Sequence, residues 1–164
     1  MRFIGFAVVA SAFVLGACGG GDTAANTDTT ATTAAATDTT PAAPAGGAMA
    51  PITGTTHEVK MIGDAQGYRF EPADITIKQG DGIKFVFVNG GPHNVAFDAA
   101  TLSPEAKAAL VANMPEQQGE LSGKMLMAEG ETYTISFAGV PTGTYDYVCT
   151  PHLAMNMKGK ITIQ

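Results

Sequence analysis

The sequence is poor in cysteine and in positive charge. Its 164 residues contain two cysteines and nine lysine and arginine residues, against fifteen aspartate and glutamate residues, for a formal net charge of −6. No basic cluster is present that would attract phosphate groups, so we expect no nucleic-acid partner. In an exported protein, two cysteines would ordinarily suggest a single disulfide.

The sequence also lacks an apolar run that spans a bilayer comfortably. The run at residues 3–14 follows Arg2 and is succeeded at once by small residues. This pattern is typical of a cleaved secretory signal, and we assign residues 1–17 to a signal peptide. Residues 15–18 (LGAC) resemble the bacterial lipobox, in which Cys18 becomes the lipidated first residue. We therefore expect an exported lipoprotein, anchored in a membrane and facing the periplasm or the cell exterior; a plain signal peptide is the alternative.

Large apolar side chains are scarce between Cys18 and residue 54, where Ala, Thr, Gly, Pro and Asp dominate. Such a composition cannot bury enough surface to offset the entropy of ordering the chain. We predict a disordered tether at residues 18–54 and one domain at residues 55–164, which we expect to be a monomer. The tether composition would equally suit an O-glycosylated stalk.

Soft metal donors are concentrated near the C-terminus. Residues 149–157 read CTPHLAMNM, and an isolated His93 lies upstream in GGPHN at residues 90–94. Soft sulfur holds Cu(I), and imidazole suits both oxidation states of copper. One thiolate, two imidazoles and a weak thioether are the donors of a blue-copper electron-transfer site. The sequence therefore predicts one redox-active copper ion in the domain.

Cys149 fits this interpretation for a second reason. With Cys18 lipidated, Cys149 is a lone thiol in an oxidising compartment, where a free cysteine is a liability unless a metal occupies it. The rival interpretation is an inert buried cysteine at the end of a strand. The nearby histidines and methionines favour the metal site.

Short apolar or alternating runs separated by turn residues predict a small β-sandwich. We expect strands at residues 57–62, 74–78, 83–88, 94–97, 132–137, 144–149 and 159–163. One helix is predicted at residues 104–113, with Ser103 as N-cap, Pro104 at the first helical position and Pro115 beyond its end. His93 and Cys149 then follow two strand ends, so the metal donors should meet at one rim of the sandwich.

These motifs together resemble the cupredoxins of the plastocyanin and pseudoazurin group, across residues 55–164. In that family a Cys-x-x-His-x-x-x-x-Met pattern supplies three copper ligands and an upstream Pro-His-Asn supplies the fourth. The resemblance implies His93, Cys149, His152 and Met157 as ligands. It also implies an all-β Greek-key sandwich of about eight strands with one short helix in an insertion, and His152 near the surface as the electron port.

Two choices remain within the motif. The family spacing favours Met157 over Met155 as the axial ligand, and Met155 then belongs to the apolar surface around the port. Asn94, next to His93, is predicted to tie the two ligand loops together and to hydrogen-bond near the thiolate. An ordinary turn asparagine is the alternative for Asn94. Val148 occupies the position where many plant plastocyanins carry a tyrosine, which leaves His152 as the favoured port.

The residues around the predicted port suggest how the protein meets its partners. Exposed apolar groups at Pro92, Leu153, Ala154 and Met155, beside Gly91, would suit brief docking with small buried area. We expect cytochromes or a membrane oxidoreductase as partners of a one-electron shuttle. We do not expect an enzyme, because only His57 is left to bind a second copper ion.

Two other functions are alternatives to the electron shuttle. A copper carrier or buffering lipoprotein that delivers copper to an oxidase would use the same ligands. A metal-free structural β-sandwich would leave four donors at family spacing without a use.

Overall fold

The computed structural model describes residues 48–164, in which two four-stranded β-sheets enclose one hydrophobic core. The strands in chain order are β1 (Thr56–Asp64), β2 (Gly67–Glu71), β3 (Asp74–Ile77), β4 (Gly82–Phe87), β5 (Ala96–Phe97), β6 (Thr132–Ser136), β7 (Gly143–Val148) and β8 (Lys158–Ile163). The helical segments are α1 (Pro104–Asn113) and two 3₁₀ segments (Ala99–Thr101 and Thr150–Met155). The predicted signal peptide, Cys18 and the tether up to residue 47 lie outside the described residues. The predicted all-β sandwich of about eight strands with one short helix is confirmed.

The sheets mix parallel and antiparallel neighbours. The first has the order β2-β1-β4-β6, with β1 parallel to β4, and the second has the order β3-β8-β7-β5, with β3 parallel to β8. At one end, β4 leads through a short loop to His93, and β7 leads directly to Cys149. We call this the site end. At the opposite end, which we call the far end, β1 and β4 begin with Thr56 paired to Gly82.

Alternation along β7 explains why Cys149 faces inward. Tyr145 and Tyr147 are buried, while Asp146 between them is exposed. Because successive side chains of a strand point to opposite faces, the residue two positions after Tyr147 continues the buried row. Cys149 occupies that position and is fully buried. The strand pattern itself therefore delivers a thiol into the interior at the site end.

Helix α1 has the bounds that the sequence predicts. The Ser103 hydroxyl accepts a hydrogen bond from the Ala106 amide at 3.2 Å, and Pro104 occupies the first turn. The N-cap satisfies an amide that lacks a partner within the helix. Ala106 and Leu110 are buried, and Ala109 packs partly against the core. Helix α1 therefore packs one of its faces against the hydrophobic core.

A buried carboxylate organises the far end. Asp81, only 6% exposed, accepts hydrogen bonds from the main-chain amides of Thr55 (2.8 Å) and Lys78 (2.9 Å). Its other contact is Nε2 of His57, at 2.9 Å. His57 looks like an exposed strand residue without a role when only the sequence is considered; the structure places it half-buried against Asp81.

Contacts between the domain and the preceding chain begin before the predicted boundary at residue 54. The amides of Thr53 and Gly54 both donate to the Gly80 carbonyl at 3.0 Å. The Ala50 amide donates to Oδ1 of Asn113 at 3.2 Å. The last residues assigned to the tether are therefore hydrogen-bonded to the far end.

Two strands differ from the prediction. β2 is absent from the predicted set, and the strand expected at residues 94–97 is limited to Ala96–Phe97. β2 is a five-residue edge strand in which only Phe70 is fully buried, so its hydrophobic signal is weak. His93 and Asn94 lie outside the regular strand. His93 forms an isolated β-bridge with Leu126 instead. Among residues 48–164, no helix combines the length and apolarity needed to cross a membrane.

Candidate metal centre

One thiol and two imidazoles converge at the site end. His93, Cys149 and His152 each place a potential ligand atom within 4.8 Å of the others, and all three residues are buried. Sγ of Cys149 lies 3.6 Å from Nδ1 of His93 and 3.4 Å from Nδ1 of His152. Three soft or borderline donor atoms therefore face a common point.

The loop after β7 is folded back on Cys149 by its own main chain. The Cys149 amide donates to the Met157 carbonyl at 3.1 Å, and the Met157 amide donates to the His152 carbonyl at 3.2 Å. Asn156 allows this tight return by adopting the left-handed conformation (φ 63°) that asparagine tolerates better than most residues. Met157 is fully buried beside Cys149, whereas Met155 is 53% exposed.

His93 is oriented by a hydrogen bond on its outer nitrogen. Its Nε2 lies 2.9 Å from the Asn89 carbonyl, an acceptor, so Nε2 carries the proton and donates it. The lone pair is consequently left on Nδ1, the atom that faces Cys149. This arrangement fixes both the tautomer and the ring direction of a potential ligand.

Asn94 connects the two loops that carry the histidines and the thiol. Its Oδ1 accepts from the Thr150 amide at 2.8 Å and from the Thr150 hydroxyl at 3.0 Å. Its Nδ2 donates to Oγ of Ser122 at 3.1 Å. The side chain is 2% exposed, so these hydrogen bonds replace the water that an ordinary turn asparagine would contact.

Burial sets the protonation of the three donors. It lowers the pKa of His93, against a smaller opposing effect of the Asn89 carbonyl, and it lowers the pKa of His152, with a further contribution from His93. Burial raises the pKa of the Cys149 thiol, and hydrogen bonds from the main chain at Asn94 and His152 oppose that rise. At neutral pH the two imidazoles are therefore neutral, and metal binding must displace the thiol proton.

An aromatic side chain that the sequence analysis did not single out lies against the site. Tyr68, on the unpredicted strand β2, stacks on the His152 ring with 3.8 Å between ring centroids and 18° between planes. No local pattern around Tyr68 identifies His152 as its partner, because the two residues lie far apart in the chain.

The residues predicted for docking are exposed, and they lie close in the chain to His93 or His152. Pro92 and Ala154 are exposed, Leu153 is 55% exposed and Met155 is 53% exposed, while His152 itself retains 5% exposure. We call Pro92, Leu153, Ala154 and Met155 the docking patch.

Comparison with known proteins decides the family. Residues 57–164 match the copper binding proteins of the plastocyanin/azurin family. The chain belongs to this family. It is 38% identical over 110 residues to plastocyanin of Nostoc punctiforme, covering 66% of this chain and 74% of that protein. It is 35% identical over 115 residues to plastocyanin of Prochlorothrix hollandica, covering 70% and 78%. Oxidised plastocyanin of Dryopteris crassirhizoma superposes with a TM-score of 0.52, at 29% identity, covering 65% of this chain and 99% of that chain.

Membership of the plastocyanin/azurin family agrees with the chemistry of the site. A thiol and two imidazoles whose Nδ1 atoms face it are a donor set that fits copper, because sulfur stabilises Cu(I) and imidazole binds both oxidation states. Copper is therefore the cofactor, as predicted. The general function is copper-dependent electron transfer with redox proteins as partners, and plastocyanin-like proteins are electron carriers rather than enzymes.

Proposed function

We propose that the domain is a one-electron shuttle whose copper ion is bound by His93, Cys149, His152 and Met157. The observation that carries the proposal is the convergence of three buried donor atoms within 4.8 Å. Bound copper supplies the one-electron couple between Cu(II) and Cu(I). The protein supplies the fixed donors, the exclusion of water and a contact surface.

Burial supports Met157 over Met155 as the fourth ligand. Met157 has no exposed surface and its main chain is hydrogen-bonded to both Cys149 and His152. Met155 has about half of its surface in solvent. A thioether that binds a buried metal must itself be buried, so Met157 meets the requirement.

The anchoring of the ligands suits repeated electron transfer. Cys149 follows β7 directly, Met157 precedes β8 directly, and His93 is held by main-chain bonds of 3.0 Å and 2.7 Å to Leu126. Ligands held by strands resist displacement when the charge of the metal changes. A site that changes little between two oxidation states needs little reorganisation to pass an electron.

The docking patch is proposed as the surface for brief contact with redox partners. Its four side chains are apolar and exposed, and a patch of four residues is smaller than the roughly 20 to 30 residues a side that a stable interface typically uses. Cytochromes or a membrane oxidoreductase are the proposed donors and acceptors. Rapid release after each electron transfer favours such a small contact.

Export and lipidation complete the proposal. The signal-like residues 1–17 and the LGAC motif ending at Cys18 support a lipoprotein that is anchored in a membrane and faces the periplasm or the cell exterior. Mass spectrometry of the mature chain tests this: a lipid on an N-terminal Cys18 is expected. An unmodified N-terminus elsewhere would contradict it.

Copper titration of the full-length chain in detergent tests the site. We expect one Cu(II) per chain with intense visible absorption and narrow copper hyperfine splitting in electron paramagnetic resonance, bleached reversibly by ascorbate. Cys149→Ser should abolish the absorption, and Met157→Leu should change it while the control Met155→Leu should not.

Redox cycling of the copper-loaded chain separates the shuttle from the copper carrier. A shuttle keeps its copper through many cycles of ascorbate and oxidant, whereas a carrier releases Cu(I) to an acceptor protein at a useful rate. A weakly coloured complex that is indifferent to Cys149→Ser would overturn the proposed site.

A further inference from the structure

The two imidazoles of the site are oriented by different means. Nε2 of His93 donates to the Asn89 carbonyl, which fixes that ring. Among residues 48–164, the hydrogen-bond partners of His152 include a contact at Nδ1 with Cys149 but none at Nε2. Metal-binding histidines usually depend on a hydrogen bond at the second nitrogen for their orientation. Another contact must therefore orient the His152 ring.

Tyr68 supplies a flat surface against which the His152 ring lies. The centroid distance of 3.8 Å and the interplanar angle of 18° describe a close parallel stack. His93 meets the same imidazole at an angle, 4.9 Å away and 63° out of plane. Rotation of the His152 ring about its bond to Cβ would break the stack and turn Nδ1 away from Cys149.

We propose that Tyr68 is the positioning residue of His152, taking the part that the Asn89 carbonyl plays for His93. The inference rests on the proposed ligand role of His152. The stack leaves the Nε2 edge free of hydrogen bonds from the protein, so one ligand is held firmly while its outer edge stays available to a redox partner.

The hairpin of β1 and β2 links Tyr68 to the orientation of His93. Gly63 pairs with Tyr68 across the hairpin, and a Cβ at residue 63 would lie 2.6 Å from Cε1 of the tyrosine ring. Only glycine leaves room for the ring there. The Gly63 amide also donates to the Asn89 carbonyl at 3.0 Å, the same carbonyl that accepts from His93. One hairpin end therefore supports both imidazoles.

The ring of Tyr68, and not its hydroxyl, carries this role. Within the described residues, the Tyr68 hydroxyl has no hydrogen bond with the protein. Tyr68→Phe should therefore preserve the stack, whereas Tyr68→Leu should keep an apolar cover and lose the flat contact. The pair of variants separates orientation from simple coverage.

The experiment uses the full-length, copper-loaded chain in its Cu(I) form. The rate at which excess bicinchoninate removes Cu(I) is measured, together with nuclear magnetic resonance signals of the two imidazole rings. For Tyr68→Leu we expect copper loss about five-fold faster, as a lost aromatic stack implies, and broadened ring signals of His152 only. For Tyr68→Phe we expect rates within about two-fold of the wild type and sharp signals.

Tyr145→Leu is the matched control, because it removes another tyrosine, on β7 toward the far end, with a hydroxyl bonded to the Pro141 carbonyl. It should lower stability and leave the copper-loss rate unchanged. Three results would each overturn the proposed role of Tyr68 and leave the ligand assignment intact. They are equal copper-loss rates for Tyr68→Leu and wild type, a Tyr68→Phe variant that loses copper as fast as Tyr68→Leu, and an equal effect of Tyr145→Leu. A wild-type chain without the Cys149-dependent absorption would overturn the ligand assignment as well.

Discussion

Each end of the sandwich places histidine next to another potential metal-ligand group, yet the two ends use these groups in opposite ways. At the far end, the Asp81 carboxylate is saturated by two amides and by His57. At the site end, the Nδ1 atoms of His93 and His152 face the Cys149 thiol. Nε2 of His93 is hydrogen-bonded to the Asn89 carbonyl, and the His152 ring stacks on Tyr68. In the far-end cluster, the carboxylate oxygens are bound by hydrogen-bond donors of the protein. At the site end, the potential ligand atoms are instead directed toward one another.

The largest contrast is expected in copper affinity. His93→Ala should weaken Cu(II) binding by more than about 100-fold, because even partners of metal ligands contribute 10- to 100-fold. His57→Ala should leave the affinity unchanged and lower stability by about 1 kcal/mol, the contribution of one hydrogen bond. Titration against a competing chelator measures the affinity. Equal losses in both variants would remove the distinction between the two ends.

Acid should remove the contribution of the Asp81 carboxylate to stability at the far end. Hydrogen bonds from the Lys78 amide and His57 lower the pKa of Asp81 to about 2. A carboxyl with a depressed pKa stabilises the fold above its unfolded pKa, and this contribution is lost as the pH falls through the folded value. Asp81→Asn should therefore lower the free energy of unfolding by about 2 kcal/mol near pH 6. This difference should shrink as the pH falls from about 4 toward about 2.

Urea unfolding of the copper-free wild type and Asp81→Asn at several pH values measures this difference. The comparison between the two proteins cancels the other carboxyl groups that titrate in the same range. A difference in unfolding free energy that is constant from pH 6 to pH 2 would contradict the assignment. Copper affinity at neutral pH should be the same in both proteins.

A smaller effect is expected where one side chain joins the ligand loops. Asn94→Ala removes the hydrogen bonds to Thr150 and Ser122, and should reduce copper affinity about 10-fold and shift the reduction potential. Ser122→Ala, which removes only one of these bonds, is the graded control. Unchanged affinity and potential in Asn94→Ala would leave Asn94 as a turn residue only.

The smallest effect is expected at the surface. Leu153→Asp should slow electron transfer with a soluble cytochrome about five-fold, since loss of an apolar contact residue at an interface costs about 1 kcal/mol. Val111→Asp, at an exposed apolar residue of α1, is the control and should have no effect. Stopped-flow rates at two ionic strengths make the comparison. Identical rates in the two variants would contradict docking at this patch.

Local signals explain what was predictable. Ser103 and Pro104 define the start of α1, and the spacing of Cys149, His152 and Met157 places donors on one loop, because these relations span few residues. The pairing of Tyr68 with His152, and that of His57 with Asp81, joins distant parts of the chain. No local pattern specifies such pairs. A short edge strand such as β2, with one fully buried side chain, is equally hard to recognise.

The preceding chain and the docking patch lie at opposite ends of the sandwich. Thr53 and Gly54 are hydrogen-bonded to Gly80 at the far end, whereas the docking patch lies at the site end. The chain that precedes Ala50 thus joins the domain at the end opposite the proposed partner surface, so its point of attachment does not cover the docking patch.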